Sequence, residues 1–272
     1  MIEILKDRAL VHIVGPDSGK FLQGMTTNDV IKKIYSYNYL LTNQGKYLFD
    51  FFVYQQSAES YFLDINKTSL DIFLKRLNMY KLRSNIDIKD VSLDYNIVYS
   101  KAQIKSDVEF SLQDTRYKAL GYRSMVKTEK IKLLNKLVDN LYIVDKYKYT
   151  IIDGYLDLVY DRSIPVEYGA EEQNAIDYNK GCYVGQEVIS RVKYQGVVRK
   201  KIFKLQFGTE FALNEQEAKI TDLDGDKLGL VCSNYKNQAI GLLREEKFLG
   251  LKEKVAMIAN QLVNIEIPPW RS

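Results

Sequence analysis

Lys180, Gly181, Cys182, Tyr183, Val184, Gly185, Gln186 and Glu187 place a thiol between two glycines, with a cation before it and a carboxylate after it. Glycines at 181 and 185 give the backbone angles that a side chain forbids and let a ligand approach the main chain. A cysteine beside a lysine, in a turn that feeds a helix N-terminus, is expected to ionise and react more readily than an ordinary thiol. Cys182 is therefore a candidate for nucleophilic, redox or metal-ligating chemistry. The competing reading is a small buried hydrophobe in a glycine-rich loop. Past the turn, Gln186 and Glu187 open a segment in which Val188, Ile189 and Val192 have helical spacing, with Arg191 and Lys193 on other faces.

Little else in the chain could share that chemistry. Cys232 is the other cysteine and there is no C-x-x-C, so a cluster or zinc site needs ligands from outside, and the cysteine usage suits a reducing compartment. The single histidine, His12, lies in Ala9–Val14, which reads as a strand; its expected role is structural, and no Ser-His-Asp or Cys-His machine has an obvious base. Lys and Arg number 39 against 35 Asp and Glu, a surplus that suits solubility or an anionic small ligand and falls short of a nucleic-acid footprint. Charges at Glu3, Lys6, Asp7 and Arg8 and the lack of a long apolar run indicate neither signal peptide nor membrane span, and the expected location is cytoplasmic.

These residues must be held by 272 residues, 46% hydrophobic, enough for one large or two modest domains. Arg8 to Val14 reads as a strand, and Asp17 is placed to cap a helix bearing Phe21, Leu22 and Met25. Thr26-Thr27-Asn28-Asp29 follows, then a hairpin: Tyr39–Leu41, a turn at Asn43-Gln44-Gly45, and the strand Tyr47–Tyr54. A strand at Ser60–Ile65 meets Asn66, an N-cap for a helix carrying Leu70, Phe73, Leu74 and Leu77. Alternation marks strands at Asn85–Ile88 and Ile97–Tyr99; helical spacing marks Thr128 to Val138 and Asp145 to Tyr160. After Gly196 short alternating strands follow, Ile202–Phe207, Ala218–Thr221, Gly229–Cys232, Ala239–Leu243 and Leu262–Ile267, which a small β-barrel would close. Asp222, Asp224 and Asp226 superficially resemble a calcium loop, but no glutamate closes it at Ser233, and Asp224-Gly225 reads as a hairpin turn.

The octet resembles the signature K-G-C-Y-x-G-Q-E of the YgfZ family, folate-binding relatives of the glycine-cleavage T-protein (GcvT-like aminomethyltransferases). The basic residues after it, Arg191, Lys193, Arg199 and Lys200, fit the same family, with Gln195 where an arginine is common. So do the opening from Arg8 to about Tyr54, the step Asp114-Thr115-Arg116 then Leu120-Gly121-Tyr122-Arg123, and Lys227–Ser233 in the barrel. Asp161 stands at the acidic place of R-x-E-x-G-I-P, although Val159 and Ser163 replace the arginine and glycine. The resemblance implies an α+β, GcvT-like folate-binding body of several lobes around a central opening over residues 1–196, and a small C-terminal β-barrel over 197–272. It implies tetrahydrofolate or a derivative as cofactor, with Cys182 as the functional thiol. Lys180, Tyr183, Gln186, Glu187, Arg191, Asp161, Arg116, Asn28 and Asp29 are the residues it nominates for the ligand. It further implies a monomeric accessory protein in iron–sulfur cluster assembly or maintenance. Its partners would be assembly factors or client enzymes, including tRNA methylthiolation enzymes, with no membrane and no direct nucleic-acid contact. Aromatic walls and Arg/Lys groups suit a pterin and its glutamate tail.

Two other functions compete. Aminomethyl transfer to tetrahydrofolate would use an aspartate on the hairpin strand, but Phe49 occupies that place and Asp50 should point to the opposite face. A tRNA-binding module would use Lys193, Arg199, Lys200, Lys201 and Lys204 as phosphate contacts.

Overall fold

The computed structural model describes residues 1–210 and 218–271. Strand β1 (Ile2–Ile4) leads to β2 (Arg8–Val14), helix α1 (Ser18–Gln23), the hairpin β3 (Tyr35–Leu41) and β4 (Tyr47–Ser57), then β5 (Ser60–Asn66), α2 (Leu70–Lys81) and β6 (Asp87–Asp90). Strands β2 to β6 form an antiparallel sheet in the order β3-β4-β5-β2-β6. Side chains alternate across its two faces. Phe49, Phe51, Val53, Val11 and Leu63 pack against α1 and α2 with Phe73 and Leu77, whereas Tyr35, Tyr37, Tyr39, Phe52, Tyr54 and Phe62 face the middle of the molecule. Asn66 accepts from Thr68 N at 2.9 Å, the cap its type predicts. Asp17 stands before α1, yet its carboxylate accepts from Asn85 N at 2.7 Å, so it ties a distant loop and makes no cap bond. His12 stacks on Phe62 with centroids 4.3 Å apart and shares a 2.8 Å hydrogen bond with Ser60, a structural placement.

A second antiparallel sheet, in the order β1-β7-β9-β8, adds β7 (Tyr95–Ser100), β8 (Phe110–Gln113) and β9 (Tyr122–Lys127). Two helical expectations fail beyond it. Thr128 to Val138 gives only a 3-10 turn over Thr128–Leu133, ended by extended Leu134 and left-handed Lys136 at φ +60°. Asp145 to Tyr160 is split into α3 (Leu141–Tyr149) and the single turn α4 (Gly154–Asp157), because Thr150 turns left-handed at φ +58° and the β-branched Ile151 and Ile152 are buried outside the helix. Helix α5 (Gln186–Gln195) then leads into a closed barrel in the order β10-β13-β12-β11-β14-β15. Its strands are β10 (Lys200–Phe207), β11 (Lys219–Thr221), β12 (Lys227–Tyr235), β13 (Gln238–Arg244), β14 (Val255–Ile258) and β15 (Gln261–Glu266), with α6 (Glu245–Gly250) after β13. Phe203, Leu205, Val231, Leu243 and Val263 fill it, while Ile202, Ile240 and Leu242 on its outer face join the body's core. Asp222 accepts from Asp224 N and Asp226 N, and Gly225 takes φ +91°, so the three aspartates build a hairpin turn.

The middle of the body carries buried charge among aromatic rings. Asp64, fully buried, accepts from Arg8 Nε at 2.6 Å and from Arg123 Nη2 at 2.7 Å, and Arg123 lies 4.3 Å above the Phe52 ring. Arg116 grips Asp114 through Nε at 3.0 Å and Nη2 at 2.6 Å, and donates to Tyr142 Oη and Ile152 O. Burial alone would raise the Asp114 carboxyl, but the Arg116 guanidinium holds it below the usual value. The anions that Arg116 and Arg123 bind are thus the chain's own aspartates. Removing one partner of such a pair strands a buried charge, so Asp64→Ala, which strands two, is expected to cost at least about 3–5 kcal/mol in urea denaturation. The stability supplied by Asp114 should be present at neutral pH and fall away as the pH drops through the carboxylate range, steeper in wild type than in Asp114→Asn.

Candidate functional site

The octet is held from beneath by its lysine. Lys180 is 6% exposed, and its ammonium donates to Gln23 O at 2.8 Å, Thr26 O at 2.5 Å and Asn28 O at 2.9 Å. Gln23 ends α1, whose last carbonyls lack intrahelical partners, so the lysine closes that helix and the turn behind it. Burial pulls the Lys180 pKa down to about 8, with Asp29 and Asp177 pulling upward. The same two segments are zipped by Thr27 Oγ1 to Ala175 O, Asn28 Nδ2 to Asn174 O, Asp177 N to Thr27 O and Val184 N to Gly24 O. The Thr26–Asp29 motif and the octet, distant in sequence, are each other's binding partners.

Glycine contacts fix the other end. Gly185 takes φ +84°, and a Cβ there would lie 2.5 Å from Thr42 O; a Cβ on Gly45, at φ +72°, would lie 3.0 Å from Val188. The hairpin turn and the start of α5 touch at a distance only glycine allows. Gly181 has nothing within 4 Å of where a Cβ would stand. Cys182 projects beside it as an exposed thiol, and Tyr183 turns into the core. The ammonium of Lys180 is spent on carbonyls, so the residue that was to activate the sulfur anchors its loop.

The remaining nominated residues do not gather around one ligand. Asn28 is buried and also donates to Tyr37 O while accepting from Lys33 Nζ. Asp29 accepts from Ile31 N and Lys32 N; burial pushes its carboxyl up, but these donors and Gln23 bring it below its usual value. Glu187 and Arg191 pair with each other at 2.8 Å on the exposed face of α5, and Gln186 begins that helix. Asp161 is exposed at φ +52°, its N–H bonded to Tyr47 O. The lysines of the tRNA reading are mostly neutralised: Lys193 with Glu171, Lys200 with Glu167, Lys201 with Glu245 and Lys204 with Glu266.

A cavity of about 450 Å³ lies where the first sheet, the α4 segment and the barrel meet. Tyr47, Phe49, Tyr155, Tyr160 and Tyr168 give it aromatic walls, Thr68 and Ser69 give hydroxyls, and Leu230, Cys232 and Leu242 come from the barrel. Asp157 at its edge is already satisfied by Lys146 Nζ at 2.8 Å, by Asp153 N and by Ser233 Oγ, which ties barrel to body. These walls suit a flat heteroaromatic ring such as a pterin, but hold no Lys or Arg for an anionic tail. Phe49 lines this cavity, whereas Asp50 on the opposite face is buried between Tyr37 Oη and Tyr47 Oη, both at 2.8 Å, where burial and then Asp153 raise its pKa. Sequence reasoning missed this wall because its residues come from six separated segments with no shared spacing. Among the described residues, no group of three or more His, Cys, Asp or Glu is arranged to hold a metal, and no helix is long and apolar enough to cross a membrane.

The chain is similar to the mitochondrial iron-sulfur cluster assembly factor IBA57 homolog of Pyricularia oryzae, 29% identical over 78% of this chain and 59% of the relative. It is likewise similar to mitochondrial IBA57 of Mus musculus, 26% identical over 98% of this chain and 84% of the relative. The chain spans 52% to 60% of the length of the fungal and Dictyostelium discoideum relatives of this kind. Among solved structures, the glycine cleavage system aminomethyltransferase T from Bartonella henselae superposes with a TM-score of 0.75 at 12% identity, covering 98% of this chain and 84% of that one, which establishes an aminomethyltransferase T-like fold. No family model matches. The YgfZ resemblance is thereby redirected to IBA57, and the expectation of a cytoplasmic location is corrected, since these relatives are named as mitochondrial.

Lys180→Met leaves three buried carbonyls without their donor and should cost about 2–4 kcal/mol, while Cys182→Ala should change stability by less than about 0.5 kcal/mol. Because the folded pKa of Lys180 lies below the ordinary lysine value of 10.5, the stability of wild type over Lys180→Met should widen as pH rises from about 8 toward 10.5. A bulky thiol reagent should modify Cys182 in the native protein before Cys232, which only lines a cavity wall.

Proposed function

We propose that the protein is an iron–sulfur cluster assembly factor of the IBA57 kind, with Cys182 as the thiol it presents to a cluster-carrying partner. The observation that carries this reading is the exposed sulfur on a loop fixed at both ends, by Lys180 below and by the Gly45–Gly185 contact beside it. A solvent-facing thiol on a rigid mount can ligate or exchange a cluster without reordering the loop, so little conformational entropy is lost on contact. The cluster is cargo, and its other ligands come from the partner. The relatives' names support both the assembly role and a mitochondrial setting.

Reduced folate, tetrahydrofolate or a derivative, is the cofactor we assign to the cavity between the lobes. Tyr47, Phe49, Tyr160 and Tyr168 would flank its ring, and Thr68 and Ser69 would hydrogen-bond its polar edge. When bound, such a pterin supplies a one-carbon carrier and an electron donor. This chain's residues hold and orient it while excluding water; with Phe49 at the cavity, Asp50 turned away and Asp157 already bonded to Lys146, Asp153 N and Ser233, no carboxylate among the described residues stands free for aminomethyl transfer.

In cells lacking the protein, wild type and Cys232→Ala should restore iron–sulfur enzyme activity, whereas Cys182→Ala, present at equal level, should not. Restoration by Cys182→Ala would remove the thiol from the function. Purified protein should show a thermal shift with tetrahydrofolate that Ser69→Trp abolishes, and no glycine-cleavage T activity.

A further inference from the structure

A second cavity, of about 310 Å³, opens on the outer face of the barrel against the end of the first. Its walls are Lys200, Lys227, Arg244 and Lys247 with Leu228, Gly229, Leu230 and Leu242. Four cations meet there and no carboxylate lines it. Lys200 has Glu167 at 3.5 Å and Lys247 donates to Lys227 O at 2.8 Å, but Lys227, Arg244 and Lys247 have no carboxylate within ion-pairing distance among the described residues. Strand register explains the cluster: Lys200 pairs with Arg244 across β10 and β13, and Leu230 pairs with Leu242 across β12 and β13. Arg244 and Leu242 are two positions apart, so cations and leucines share one outward face. Gly229 lets the strands close up, since a Cβ there would stand 2.2 Å from Leu242 O.

Leu230 and Leu242 also line the cavity between the lobes. The two spaces are therefore neighbours along a single strip of barrel surface, aromatic and without cations at one end, cationic and without carboxylates at the other. Charge and shape together suit one elongated ligand with a flat ring and a polyanionic tail.

We infer that the basic groove of Lys200, Lys227, Arg244 and Lys247 binds the γ-linked glutamate chain of a polyglutamylated folate whose ring occupies the adjoining cavity. This rests on the folate reading of that cavity. Successive carboxylates of the chain would replace water around the ammonium groups and meet the forked guanidinium of Arg244. The groove thereby selects among folates by tail length, a specificity the cavity walls cannot supply.

Titration calorimetry with tetrahydrofolate monoglutamate and pentaglutamate tests this, on wild type and on the exposed pair Lys227→Gln/Arg244→Gln. The pentaglutamate should bind wild type about tenfold more tightly, an advantage that vanishes in the double variant and in high salt while monoglutamate affinity is unchanged. Equal binding of the two by wild type, or an advantage that survives in the variant, overturns the groove and leaves the cavity reading intact. Binding of neither overturns the folate reading and the groove with it.

Discussion

A buried ammonium determines where the exposed sulfur sits. Taking a lysine out of water costs several kcal/mol unless its donors are matched, and at Lys180 three backbone carbonyls supply the match. Those carbonyls belong to the end of α1 and the turn after it, where Asn28 O also accepts from Thr26 Oγ1 at 3.0 Å. One side chain thus satisfies a helix terminus, fastens a loop 152 to 157 positions away, and leaves the next residue but one facing solvent. A hydrophobic contact could have closed the loop without fixing its height; directional bonds to three oxygens fix both.

The same economy recurs at larger scale. Asp64 binds Arg8 within the first sheet and joins that sheet to the second through Arg123, and Asp157 joins the α4 segment to α3 through Lys146 and to the barrel through Ser233. Buried pairs of this kind contribute little net stability compared with apolar packing, but they are costly to misplace, and they register lobes whose hydrophobic surfaces alone would tolerate sliding. The aromatic residues between them fill the middle of the body and leave a cavity at the junction with the barrel.

Much of the fold was legible because alternation and caps speak locally. The first sheet, α2 with its Asn66 cap and most of the barrel followed from side-chain period and turn residues; short β14 lacked enough length to show one. Helical spacing from Asp145 to Tyr160 misled because burial of Ile151 and Ile152 and a left-handed Thr150 outweighed it. Site residues were legible as motifs and illegible as roles. Lys180 reads as a cation beside a thiol, and only the fold reveals the carbonyls that claim it; Arg116 reads as an anion receptor, and its anion is Asp114, two residues away. Arg244, which no motif marks, meets Lys200 through strand register alone.

The central claim is that Cys182 engages an iron–sulfur cluster in passage between proteins. Its most direct test is the visible absorption change as a cluster-loaded carrier delivers to an apo-enzyme, timed with wild-type protein and with Cys182→Ser. The account predicts that wild type accelerates delivery and that the serine variant, folded and equally stable, does not. Equal acceleration by both proteins would contradict it.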